Sequence, residues 1–170
     1  MVWPGATIVC LGSGPSLTPE DVNAVRGKCP VIAVNSTYRL APWADVLYAC
    51  DRSWWTRERD GVAKYHGMKW SIDRTRSGLE SSTKVEDKGP GISVLRNTGE
   101  SGLESSPLGL RTGRNSGYQA MNLAWHLGAR RIILLGYDMR LAADGAKHCG
   151  ACTHVVEHTA KAVLAFAPAA

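Results

Sequence analysis

The chain has 170 residues, 44% hydrophobic and 21% charged, with 18 Gly, 8 Pro and 5 Cys, which describes one globular domain able to build a core without a disulfide staple. No stretch approaches the ~20 apolar residues of a membrane span. The net charge of +5 is spread along the chain with no basic tail, which points away from nucleic acid and fits a small anionic ligand.

Met1 to Gly5 carry no basic segment and the apolar run after them is short, so no secretory leader is expected and a cytosolic protein is. Residues 6–12 are apolar without alternation, as expected of a strand buried on both faces. A Gly/Pro/Ser loop leads to Thr18-Pro19-Glu20-Asp21, where Thr18 suits an N-cap, Pro19 the first helical position and Asp21 the capping acid. That helix is predicted to end near Gly27. Val31–Val34 and Ala44–Ala49 read as the second and third strands, ending at Asn35 and at Cys50-Asp51. A helix capped by Ser53 is predicted over Trp54–Tyr65, and a fourth strand over Met68–Ile72.

Residues 73–114 are rich in Gly, Ser, Thr and charge, with one apolar segment at Ile92–Leu95. Ser-Gly-Leu-Glu-Ser-Ser occurs at 77–82 and again at 101–106, without periodicity between the copies. The region reads as a flexible insertion or flap over the site, the alternative being surface loop. Order returns with a helix capped by Asn115-Ser116, apolar at Ala120, Leu123, Ala124 and Leu127, and stopped by Gly128. Arg130–Gly136 is the clearest buried strand and ends at Tyr137-Asp138; a last helix is predicted from about Thr153 to Phe166. Strands alternating with helices predict an α/β fold. Right-handed crossovers favour a Rossmann-like, doubly wound, mostly parallel sheet with helices on both faces.

In such sheets ligands bind beyond the carboxyl ends of the strands. Gly12-Ser13-Gly14-Pro15-Ser16, Asn35, Asp51, Asn115-Ser116-Gly117 and Asp138 are all expected there. Gly12 and Gly14 allow close backbone approach, and amides there and at Ser16 and Leu17 offer donors for a phosphate. The loop lacks the third glycine of the dinucleotide fingerprint, and no Gly-Lys-Ser/Thr exists for a Walker loop. Each position also has a purely structural reading. The glycine loop makes a tight turn, Asn35 ends a strand, Asp51 caps a helix or pairs with Arg52 or Arg57, Asn115 and Ser116 cap a helix, and Asp138 caps a loop.

His148, Cys149, Cys152, His154 and His158 crowd into eleven residues. Four zinc ligands so close leave the fold little to gain, and the usual gap between ligand pairs is absent, so zinc is not expected. A histidine acting as general base is the better use, with His148 and His154 both candidates. Cys10, Cys29 and Cys50 read as buried small hydrophobes, and disulfides are not expected in the cytosol.

Leu11-Gly12-Ser13-Gly14-Pro15-Ser16-Leu17, Asn35 and the block from Asn115-Ser116-Gly117 to Leu134-Leu135-Gly136-Tyr137-Asp138 resemble one superfamily. It holds the family-42 sialyltransferases, the archaeal-type 6-hydroxymethylpterin pyrophosphokinases and small phage and prophage proteins. The resemblance covers about a third of the chain and implies a nucleotide site at Gly12, Ser13, Gly14, Pro15, Ser16, Asn35, Ser116 and Gly117. It also implies a catalytic base at His148 or His154 and a host-cytoplasmic setting if the chain is phage-encoded. Asn115 stands where the sialyltransferases have Thr, and no Tyr follows Tyr137, where they have two. Three readings stay open: a transferase using a CMP-sugar, a Mg²⁺-dependent pyrophosphokinase using ATP with Asp51 and Asp138 as candidate ligands, and a non-catalytic binding or virion-assembly module. Self-association is compatible with all three.

Overall fold

The computed structural model of the chain describes residues 1–73 and 88–138 and the backbone of a strand at 162–165. In chain order the elements are β1 (Ala6–Leu11), α1 (Pro19–Val25), β2 (Val31–Val34), a 3₁₀ turn (Asn35–Arg39), β3 (Val46–Tyr48), α2 (Arg52–Arg57), α3 (Arg59–Ala63), β4 (Met68–Ile72), β5 (Ile92–Asn97), β6 (Gly109–Leu110), α4 (Ser116–Leu127), β7 (Ala129–Leu135) and β8 (Ala162–Ala165). The strands form one eight-stranded sheet in the order β6-β5-β4-β3-β2-β1-β7-β8. Every neighbouring pair is parallel except β7 and β8, which run antiparallel. This is an α/β, Rossmann-like, doubly wound sheet.

The period of two along each strand divides the apolar residues between two cores. Ile8, Cys10, Ile32, Val34, Val46, Tyr48 and Ile72 face one side, where Ala120, Leu123, Ala124 and Leu127 of α4 cover them. Val9, Leu11, Val31, Ala33, Leu47 and Ala49 face the other, beneath Val22 of α1, Tyr38, Trp54 and Trp55 of α2, and Val62 of α3. Burial of a side chain such as Leu123 stabilises the fold by roughly 1.5–3 kcal/mol. The crossovers from β1 through α1 to β2 and from β6 through α4 to β7 travel in opposite directions along the sheet. Right-handed connections that travel in opposite directions must lie on opposite faces, as these helices do.

Helix ends follow their local chemistry. The Thr18 hydroxyl accepts from the Asp21 amide at 3.1 Å and donates to its carboxylate, with Pro19 following as expected. Asn115 Oδ1 accepts from the amides of Gly117 and Tyr118, and Gly128 ends α4 at φ +108°, a left-handed conformation that glycine adopts without a steric cost.

Three expectations need correction. The helix expected over Trp54–Tyr65 begins at Arg52, with Asp51 rather than Ser53 at the cap position, and breaks at Glu58 into α2 and α3. Glu58 is claimed by the preceding segment: its Oε2 accepts from Tyr38 Oη at 2.9 Å and from Arg39 Nη2 at 2.6 Å. Burial works to raise its carboxyl, but these two donors prevail and hold it below the usual carboxylate range. Residues 88–114, read as part of a flap, contribute β5 and β6 to the sheet, β5 pairing with β4 through four residue pairs. Residues 74–87 lie outside the described residues. The last predicted helix, Thr153–Phe166, gives way at Ala162–Ala165 to a strand along β7. A four-residue apolar run is ambiguous between helix and strand, and the unpaired backbone edge of β7 decides for strand.

Candidate functional site

The strand order reverses between β1 and β7, the point of the carboxyl edge at which open α/β sheets place their ligands. The loop after β1 holds Gly12–Leu17 and the one after β7 holds Gly136–Asp138. They interlock. Gly12 N donates to Leu135 O and Gly14 N to Gly136 O, both at 2.8 Å. A Cβ on Gly12 would stand 2.5 Å from Gly136 O and 2.7 Å from the Tyr137 ring. One on Gly14 would strike the Asp138 carboxylate. Both glycines are therefore required by the approach of β7's loop, whatever else binds there.

Asp138 reaches over to the β1 loop and its Oδ2 accepts from Ser16 N at 3.2 Å. Leu17 N is taken by Gly14 O at 3.1 Å. The amides of Gly12, Gly14, Ser16 and Leu17, expected from sequence to face a phosphate, are thus all spent on protein acceptors, and Pro15 has none. Ser16 itself is 4% exposed, and its Oγ is enclosed without a hydrogen-bond partner among the described residues.

Tyr137 carries the rim toward α4. Its ring packs on Gly12 and Gly117, where a Cβ on Gly117 would stand 2.6 Å from it, and its hydroxyl donates to Gly117 O at 3.3 Å. Burial pushes that hydroxyl well above the ordinary tyrosine range. Ser116, beside it, donates to Cys50 Sγ at 3.1 Å, and Cys50 Sγ in turn meets Asp51 Oδ2 at 3.4 Å. Lys88 Nζ reaches Cys50 O at 3.4 Å. Cys50 is therefore a polar rim residue, not the buried hydrophobe expected from sequence; Cys29 is likewise only half-buried, while Cys10 is fully buried and its thiol pushed up to about 12 by that burial.

Asn35 ends β2 on the same edge. Its φ of +54° is left-handed, a conformation Asn tolerates better than most residues, and its side-chain amide has no partner among the described residues. The next residues anchor it: Thr37 Oγ1 donates to Leu11 O at 3.1 Å and Trp54 Nε1 to Ser36 Oγ at 3.4 Å. Of the positions singled out from sequence, Gly12, Gly14, Ser16, Asp138, Gly117, Asn115, Ser116 and Asp51 form one contact-linked arc, with Asn35 at the adjoining strand end. Ser13 and Pro15 lie in the same loop. His148 and His154, with Cys149, Cys152 and His158, lie outside the described residues.

Sequence reading overlooked Lys88, Cys50 and Tyr137 as rim residues. Tyr137 carried a signal, because it sits between a strand-ending glycine and Asp138; Lys88 carried none. It also overlooked the polar stripe of α4. Asn122 Oδ1 accepts from the amides of Glu104 and Arg111, Gln119 Nε2 donates to Thr112 O, and His126 Nε2 lies 2.8 Å from Gly109 O. These residues fasten residues 104–112 to the helix. Comparison of the chain with protein-family models, with curated proteins and with solved structures finds no match in any of the three. No described helix is long and apolar enough to cross a membrane.

Proposed function

We propose that the protein binds a nucleotide, or the nucleotide part of a nucleotide sugar, at the carboxyl edge between the loops of β1 and β7. The observation that carries this reading is the reversal of strand order between those two strands, at which the glycine loop, Asp138 and the Tyr137-packed start of α4 meet. Open α/β sheets bind ligands at such a point because neighbouring crossovers leave it uncovered. The left-handed Asn35 beside it adds an amide, without a partner among the described residues, able to donate and accept as a base edge or a sugar requires.

Transfer chemistry, glycosyl transfer first, is the proposal's second layer and assigns the general base to His148 or His154. The pyrophosphokinase reading asks for Mg²⁺ near Asp51 and Asp138. Among the described residues no three His, Cys, Asp or Glu side chains converge, and both carboxylates already accept from protein donors. Two carboxylates alone would leave the phosphates of ATP and water to complete the ion's shell.

A thermal-shift panel of CMP, CMP-sialic acid, UDP-sugars, GDP and ATP with and without Mg²⁺ tests the binding reading. A ligand at about 100 times its Kd adds about 2.7 kcal/mol of stability, a shift of several degrees for a domain of this size. A shift with one nucleotide that is lost in Asn35→Ala supports the site. Silence across the panel overturns it.

A further inference from the structure

A glycine loop between a strand and a helix invites a phosphate, but in this loop the hydrogen-bond inventory argues for a different guest. Four of its amides are committed: Gly12 to Leu135 O, Gly14 to Gly136 O, Ser16 to Asp138 Oδ2 and Leu17 to Gly14 O. Pro15 has no N–H to give. The anion that the loop does hold is a carboxylate of the chain itself. A phosphate entering the same turn would find no free pair of donors and would stand beside Asp138, and two like charges at that range disfavour each other.

What the turn does offer is acceptor capacity. Asp138 spends Oδ2 on one backbone amide and leaves Oδ1 with no partner among the described residues. Ser16 Oγ, in the residue whose amide fixes that carboxylate, is enclosed and has neither a donor nor an acceptor partner among the described residues. A buried hydroxyl in that state is costly unless something else completes it. A carboxylate held rigidly by a backbone amide, beside an unsatisfied hydroxyl, suits a guest that donates hydrogen bonds through hydroxyl groups.

We infer that the Gly12–Leu17 loop and Asp138 form a sugar-hydroxyl subsite, which takes the 2′- and 3′-hydroxyls of a ribose and turns away free phosphate. The assignment rests on the nucleotide reading above and names which part of the nucleotide meets the glycine loop. The ligand's phosphates then lie outside this turn.

The test compares cytidine, adenosine, guanosine and uridine and their 5′-monophosphates with the 2′,3′-dideoxy forms, and adds inorganic phosphate as a competitor. The subsite predicts that removing both hydroxyls weakens binding about tenfold or more, and that millimolar phosphate neither stabilises the protein nor competes. Asp138→Asn keeps an oxygen for the Ser16 amide and removes the charge. It is expected to bind ribonucleosides more weakly while phosphate begins to compete, a change of sign that a merely structural residue would not produce. Ser16→Ala folds without its orphaned hydroxyl and is expected to lose ribonucleoside affinity without gaining phosphate binding. Equal affinity for ribo and dideoxy forms, or phosphate competition in the unaltered protein, overturns the subsite while the nucleotide reading stands. No binding of any nucleoside or nucleotide overturns both.

Discussion

The Tyr48 hydroxyl donates a 2.7 Å hydrogen bond to Gln119 Oε1, joining the end of β3 to the first turn of α4 across 71 residues of chain. Both side chains are buried, and Gln119 passes the connection on through Nε2 to Thr112 O, also at 2.7 Å. One glutamine therefore sets the height of α4 over the sheet and ties down the strand of chain that leads into it. Tyr48→Phe leaves Gln119 Oε1 buried without a donor. A loss of about 1–3 kcal/mol is expected, with about 2–4 °C of melting temperature for each kcal/mol. Gln119→Leu removes both bonds and leaves the buried Tyr48 hydroxyl without its acceptor, while Thr112 O keeps Asn115 N, so it should cost at least as much. Equal melting temperatures for the unaltered protein and both variants would show the bond to be idle.

The two loop glycines make a prediction about the fold that needs no ligand. Gly14→Ala drives a methyl group into the Asp138 carboxylate and to 2.5 Å from Gly136 O, and a shift of either loop should cost about 1–3 kcal/mol in the free protein. Asp138→Ala removes one of the two obstacles. A double-mutant cycle should therefore return part of the loss, with the clash against Gly136 O remaining. Chemical denaturation of the four proteins reads the coupling directly, and strict additivity would contradict the contact.

Asn35 separates stability from binding. Its left-handed φ of +54° costs an alanine about 1 kcal/mol or more, whereas glycine adopts it freely. Asn35→Ala should lower the melting temperature and Asn35→Gly should hold or raise it. Both remove the amide from the rim, so both should weaken nucleotide binding to the same degree. Retained affinity in Asn35→Gly would remove Asn35 from the site.

His126 predicts an acid limb of stability. Burial pulls its imidazole below the ordinary value of 6.5, outweighing the Gly109 carbonyl and Glu104, which favour the charged form. Because the folded value lies below the unfolded one, the neutral ring's contribution is complete above about pH 6.5 and is lost as the pH falls through the folded value. His126→Gln keeps a donor for Gly109 O without titrating in that range. Urea midpoints between about pH 5 and 7 should fall with acid in the parent and flatten in the variant. Parallel slopes would assign the acid limb to other groups.

Much of the scaffold was legible in local chemistry. Thr18-Pro19 and Asn115-Ser116 start their helices where capping demands, Gly128 stops α4, and Val31–Val34 is a strand as read. These features are legible because a cap or a doubly buried strand is decided within a few residues. The glycine loop was legible as a close approach, though not in what approaches. Gly12 and Gly14 make room for Tyr137 and Asp138, more than 120 residues away in sequence.

Local propensity and apolar patterning thus settle which segments become strands and helices and which residues face the two cores. The place of β5 and β6 in the sheet and the strand at Ala162–Ala165 were settled otherwise, by a neighbouring edge with unpaired N–H and C=O groups to satisfy. The character of the edge between β1 and β7 was settled the same way. Whether the Ser16 amide waits for a ligand or is already capped depends on where the carboxylate of residue 138 comes to rest, and only the pairing of β1 with β7 brings the two within 3.2 Å.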